Sequence, residues 1–258
     1  MPRRAQRLWL LSSLLVAASA TQAAGITLVS DRWCPYNCDP GSDKPGYMVE
    51  IVQIVFGRAG HQVEYQALPW ARAVVAARNG EYDGVIGAAR DGSARDFVFP
   101  DVPAGMSANA FLVRRGHPWR YTGIDSLPAV RLGVVLNYSY DAELDAYLAQ
   151  HRGDPSKVLA EPGDGALARN LRKLESGQIE ALIENRSVLE YQLAQRGLSD
   201  RFEFAGEMPS RGSYIAFSPV KPASAEYARL LGEGIRELRR SGELDRILAR
   251  YGLRDWER

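Results

Sequence analysis

Apolar residues along this chain fall alternately into short runs and into positions three or four apart, the mark of strands and amphipathic helices following one another. Residues 26–30 form a β-type run, and residues 46–56 carry apolar side chains at helical spacing. Residues 62–66 alternate as a half-buried strand does. Pro69 opens a helix over 70–78, a position that its fixed φ suits, and Val85-Ile86 begins the next strand before a loop at 87–93. Residues 109–113 read as the strand that closes this first α/β unit, and Gly116, Pro118 and Trp119 punctuate the chain. A second series follows, with a strand at 131–135, a helix at 141–151, helices at 166–174 and 188–193, and a strand at 181–183. A strand at 213–217 stops at Ser218-Pro219, and 225–251 reads as two helices parted by Ser241-Gly242.

One short design occurs twice, at 77–86 and at 172–183. In each copy a helical run ends at a glycine, Gly80 or Gly177, which can take the left-handed conformation that stops a helix. An acid follows, Asp83 or Glu180, and then a short apolar strand. The repeat predicts two similar α/β lobes, and paired lobes of this kind hold a small ligand in the cleft between them.

Composition changes the picture at the N-terminus. Arg3, Arg4 and Arg7 precede the apolar run 8–20, and small residues at 18–20 and 21–23 supply a signal-peptidase pattern, so residues 1–23 read as a signal peptide cleaved between Ala20 and Ala24. Thirteen helical residues span only about 20 Å against roughly 30 Å of hydrocarbon, too short for an anchor. That segment holds three arginines and no acid, which leaves 29 Lys+Arg against 31 Asp+Glu and a mature net charge of −2. With no basic stretch, nothing favours nucleic acid or an anionic membrane surface. The two cysteines, Cys34 and Cys38, are expected to meet an oxidising compartment and to form a disulfide. Two thiols do not complete a tetrahedral metal site, and His61, His117 and His151 lie at no ligand spacing from them. No metal or cofactor is expected.

Several motifs then occur in a telling order: Trp33-Cys34-Pro35-Tyr36, Gly46-Tyr47, Pro69-Trp70-Ala71-Arg72, residues 80–87, 97–100, 176–180 and 234–242, and Tyr251-Gly252. The ordered set resembles the family 3 bacterial extracellular solute-binding proteins, the periplasmic receptors of polar amino acid ABC importers, over essentially the whole mature chain. The resemblance implies a type II periplasmic binding protein fold of class α/β, two lobes joined by a two-strand hinge. Lobe 1 would comprise 25–113 plus 215–258 and lobe 2 residues 118–212, with crossings near 114–117 and 210–213. It also implies a monomer in the periplasm that closes on a small polar solute, an amino acid or related carboxylate, and presents it to an inner-membrane ABC permease or sensor.

Ligand contacts are expected where strands give way to helices. Arg90, after the 85–86 strand, is the first choice for a carboxylate, since a guanidinium fork makes two charge-assisted bonds; Arg95 competes for the part, and pairing with Asp91 or Asp96 is the plainer alternative. By similarity to the family, Gly87, Ala88 and Ala89 supply backbone groups. Trp33, Tyr36 and Trp70 are candidate walls, able to cover apolar surface and attract a cation, or else ordinary core residues. Arg72 reaches the cleft or forms a helix-surface ion pair. In lobe 2, Asn137, Tyr138, Ser139 and Tyr140 precede a helix, where free N–H groups and hydroxyls can take an anion or cap the helix. Asn185 stands where amino-acid-binding members commonly carry an aspartate for the ligand amine. Strand alternation points the neighbouring Glu184 the opposite way.

A receptor that performs no catalysis is the leading reading. The alternatives are an enzyme resembling the cyclohexadienyl dehydratases of the same fold, and an orphan receptor that presents ligand to a membrane sensor. The chain has no serine triad pattern or phosphate loop, and Glu50, Glu143 and Glu184 are the acids available for proton transfer.

Overall fold

A computed structural model describes residues 25–257, so the export segment at 1–23 lies outside the described residues. In chain order the elements are β1 (Gly25–Ser30), α1 (Tyr47–Arg58), β2 (Gln62–Ala67), α2 (Trp70–Arg78), β3 (Gly84–Ala88), β4 (Gly105–Ser107) and β5 (Asn109–Arg114). A 3-10 turn, Ile124–Ala129, leads to β6 (Leu132–Val135), α3 (Ala142–Gln150), β7 (Val158–Glu161), α4 (Ala166–Ser176), β8 (Ala181–Asn185), α5 (Arg186–Arg196) and β9 (Phe202–Glu207). β10 (Arg211–Phe217), α6 (Ser224–Arg240) and α7 (Glu243–Ala249) complete the chain.

The strands form two five-stranded sheets, ordered β2-β1-β3-β10-β4 and β7-β6-β8-β5-β9. In each, three parallel strands are followed by an antiparallel strand that arrives from elsewhere in the chain: β10 beside β3, and β5 beside β8. Helices cover both sheets, and the fold is the two-lobed type II periplasmic arrangement. One face of the first sheet packs on α1, α6 and α7 through Ile26, Leu28, Ile51, Phe56, Leu231 and Leu244. In the second sheet Phe111, Leu132, Val134 and Ile183 pack with Leu144 and Tyr147 of α3 on one side, while Leu112 and Leu182 meet Leu171 and Leu189 on the other.

The strand at 109–113, expected to close the first lobe, instead pairs along its length with β8 and β9 of the second sheet. The chain therefore leaves the first sheet at Ser107 and enters the second at Asn109, well before the expected crossing at 114–117; it returns between Glu207 and Arg211. A near-continuous apolar run fits a central strand of either sheet, so pattern alone could not choose. The short strands β4 and β7 carry no alternation, whereas Phe202 and Phe204 in β9 do.

The repeated design has the same structural role in both lobes. Gly80 and Gly177 adopt φ 83° and 77° and end their helices. Asp83 accepts from the backbone N–H and hydroxyl of Thr27 at 2.8 Å, and Glu180 accepts from the N–H of Arg131 at 2.8 Å. Each acid thus ties the strand after the helix to the start of its lobe's first parallel strand. Burial pushes Asp83 up, but Lys221, 2.8 Å away, and the Thr27 bonds outweigh it and hold the carboxyl below its ordinary range.

Candidate ligand-binding cleft

The loop after β1 brings the first side chains to the cleft. Trp33 N–H donates to the Asn37 carbonyl at 2.7 Å and Tyr36 N–H to the Trp33 carbonyl at 2.9 Å, a tight turn closed by the Cys34–Cys38 disulfide with Cα atoms 4.8 Å apart. Asn37 also donates its side-chain amide to the Asp31 carbonyl. The turn stacks Trp33 on Tyr36 with centroids 4.2 Å apart and projects Asp31 and Trp33 towards lobe 2.

After β3 the chain offers backbone rather than long side chains. Gly87 has φ 90°, a conformation that L side chains rarely adopt, and lies against Trp33. Ala88 and Ala89 follow, and Trp70 at the start of α2 donates its indole N–H to Ser93 at 3.1 Å.

Lobe 2 answers with 137–140 and Glu184. Asn137 takes φ 67°, which asparagine tolerates better than most residues, and turns the chain so that Tyr138 reaches across to donate its hydroxyl to Asp31. Ser139 hydroxyl and Tyr140 N–H are both taken by Asp145, at 2.6 and 2.9 Å, while Asp141 caps α3 by accepting from Leu144. Glu184, 2 % exposed, accepts on Oε1 from the Trp33 indole at 2.9 Å and from the Asn185 N–H at 2.8 Å. Burial pushes Glu184 up to about 7. Burial also pushes Asp31 up to about 6, with the Tyr138 bond opposing part of the rise. Neither acid faces an ion-pair partner among the described residues.

These groups enclose two adjoining chambers. An inner cavity of about 70 Å³ is lined by residues including Gly87, Ala88, Ser107, Tyr140 and Arg211. An outer one of about 250 Å³ has an apolar wall of Ala71, Leu136, Leu167 and Val188 and a polar one that includes Arg32, Asp164, Gln192 and Arg196. Asp31, Trp33, Trp70, Tyr138 and Glu184 line both and form the throat between them.

Of the residues singled out from sequence, Trp33, Trp70, Gly87, Ala88, Ala89, Tyr138, Ser139 and Tyr140 line the inner chamber, and Asn137 lines the outer one. Arg90 does not: its guanidinium donates to the Pro100 carbonyl at 2.5 Å and lies over Phe99 and Tyr214, 5.3 and 4.8 Å from their centroids. Arg72 and Arg95 are exposed and line neither chamber. Tyr36 is buried behind Trp33, and its hydroxyl donates to the Met106 carbonyl at 2.5 Å. Asn185 is buried at the lobe junction, where its amide donates to Tyr36 and Ser107 at 3.1 and 2.9 Å and its oxygen caps α5 at Val188 N–H. Strand alternation holds, but it sends Glu184 rather than Asn185 into the cleft. Of the other acids nominated, Glu50 is engaged by Arg250 and Tyr251, and Glu143 is exposed on α3.

Asp31 and Arg211 are among the cleft residues that the sequence did not single out. Asp31 follows a strand directly, a place where ligand contacts gather, and that position was its available signal. Arg211 opens β10 and comes beside lobe 2 only through the return crossing; it pairs with Asp91 at 3.2 Å and donates to the Ser139 carbonyl at 2.9 Å. Among the described residues no helix is long and apolar enough to cross a membrane, and no group of three or more His, Cys, Asp or Glu is placed to hold a metal.

Two α/β lobes with a chambered cleft between them define the class of two-lobed solute-binding folds. The chain belongs to the bacterial extracellular solute-binding proteins, family 3, whose model matches residues 26–254. Comparison with curated proteins gives no match. Among solved structures, a histidine kinase sensor domain with similarity to periplasmic binding proteins is 21 % identical, covers 90 % of this chain and 99 % of its own, and has a TM-score of 0.73. A mutant of ArgBP from T. maritima is 15 % identical over 88 % and 95 %, TM-score 0.70. A structure from work on glutathione import via GshT and the cystine importer TcyBC of Streptococcus mutans is 16 % identical over 89 % and 95 %, TM-score 0.73.

Proposed function

We propose that this protein is a periplasmic receptor that encloses a small polar solute between its lobes and hands it to an inner-membrane ABC importer, without chemical turnover. What carries the reading is that the throat is assembled from both lobes: Trp33 donates to Glu184 at 2.9 Å and Tyr138 donates to Asp31, so neither lobe holds a complete site. Membership of family 3 supports it, as does a chain crossing twice between the sheets, which is the connection a hinge needs. The protein acts as a monomer after removal of residues 1–23, with lobe 1 bounded near Ser107 and Arg211. Trp33, Trp70, Tyr138 and the backbone of Gly87, Ala88 and Ala89 touch the solute.

The test is small-angle scattering with and without a ligand whose binding calorimetry has verified, joined to chromatography of the recovered ligand. A smaller radius of gyration with unchanged ligand fits the receptor. An unchanged radius with bound ligand would defeat closure, and a transformed ligand would return the enzyme of the same fold. Delivery is read by pull-down with a candidate permease; capture of a membrane sensor kinase instead would reassign the partner.

A further inference from the structure

The throat has an unusual balance for a receptor of zwitterions. Its five residues comprise two carboxylates, Asp31 and Glu184, three aromatic side chains, and no base. The acids come from opposite lobes, and both of the hydrogen bonds that Glu184 accepts fall on Oε1. Glu184 is buried and Asp31 half-buried, and neither has an ion-pair partner among the described residues. Carboxylates so placed are costly, and a cation between them relieves that cost while meeting the negative faces of the surrounding rings.

A carboxylate on the same ligand finds no unengaged guanidinium in the throat or the inner chamber. Arg90, the guanidinium expected there, is directed at Phe99, Tyr214 and the Pro100 carbonyl. Arg211 lines the inner chamber, but its two terminal nitrogens go to Asp91 and the Ser139 carbonyl. Ser139 hydroxyl and Tyr140 N–H, the donors available to an anion on that loop, are held by Asp145. The remaining bases near the chambers lie at the outer one and outside the throat: Arg32 pairs with Asp39 and Asp164, and Arg196 gives its Nε–H to Gln192 at 3.2 Å and has no acid as partner among the described residues. The walls beyond the throat, Ala71, Leu136, Leu167 and Val188, suit methylene groups.

We infer that the solute is a primary alkylamine cation of the aliphatic diamine class, with an ammonium group held in the throat between Asp31 and Glu184, its chain along the apolar wall of the outer chamber, and no α-carboxylate. The inference rests on the receptor reading and names its solute. It departs from the amino acid or carboxylate expected from the sequence, because the unpaired charge of the throat belongs to acids.

Cadaverine and lysine isolate the point, since they differ only by the α-carboxylate. Calorimetry of the mature protein, cleared of co-purified ligand by unfolding and refolding, should give cadaverine at least tenfold tighter binding than lysine, with glutamine and succinate weaker still. D31N and E184Q should each weaken cadaverine at least tenfold while the urea midpoint of the ligand-free protein does not fall, which separates lost charge from lost folding. Lysine binding as tightly as cadaverine overturns the inference. Tight glutamine or succinate with neither amine bound also overturns it and leaves the receptor reading intact. No binding by any of the four overturns it as well, and native mass spectrometry of the protein as purified then judges the receptor reading by whether a small molecule travels with it.

Discussion

The two lobes share a scaffold and differ in what they place on it. Both have three parallel strands beside an antiparallel fourth, a glycine-stopped helix, and an acid that fastens the third parallel strand to the start of the first. After the third strand they part. Lobe 1 continues into Gly87, Ala88 and Ala89, which lets Trp33 lie close, whereas lobe 2 closes its strand with Glu184 and Asn185, the latter capping the helix that follows at once. The shared residues act within a lobe and the differing ones act across the cleft. Repetition in the sequence therefore marks architecture, and the breaks in it mark the site.

Removing the scaffold acids is the harshest way to test that division. Asp83→Ala leaves Lys221 and the Thr27 donors without their partner and should lower unfolding stability by about 3 kcal/mol or more. Glu180→Ala, at a more exposed position, should lower it by about 1–2 kcal/mol. Denaturant unfolding measures both, and equal losses would contradict the burial difference.

Glu184 sharpens the contrast through pH. Its folded-state pKa of about 7 lies above the ordinary 4.5. The unfolded chain therefore gives up its proton first, and stability falls as pH rises from about 4.5 through about 7. The loss is on the order of 3 kcal/mol at most for a shift of that size. Asp31, raised to about 6, adds to the fall in the same direction. Glu184→Gln should match the wild type in urea midpoint at pH 4 and exceed it at pH 8; a lower midpoint at both values would mean that the carboxylate is stabilising.

Smaller effects are expected from Asn185→Ala, which uncaps α5 and removes the bonds to Tyr36 and Ser107: about 1–2 kcal/mol by the same unfolding measurement. The smallest is Arg90→Ala, about 0.5–1 kcal/mol from the lost aromatic contacts, with ligand affinity unchanged by calorimetry. A tenfold loss of affinity there would restore the arginine clamp.

Much of the scaffold was legible because its signals are local. Helical periodicity marked α1, α2, α4, α5 and α6, and the glycine-acid-strand design marked both lobes. Half of the cleft was legible for a similar reason, since Trp33, Trp70 and residues 137–140 sit next to strand ends. The arginine was misplaced because a guanidinium follows whichever partner is nearest in space, and for Arg90 those are Phe99, Tyr214 and a carbonyl ten residues on.

The sequence by itself determined the element order, the doubled α/β plan, the pairing of its two cysteines and the family to which the chain belongs, each of which depends on neighbouring residues or on an ordered set of motifs. The tertiary structure decided that residues 109–114 serve the second sheet, that Glu184 rather than Asn185 enters the cleft, and that Asp31 meets Tyr138 across it. Those outcomes depend on pairings between segments that lie 76 and 107 residues apart, at Asn109–Asn185 and Asp31–Tyr138. Local pattern fixes how a strand alternates, but only its partner fixes which side becomes the cleft.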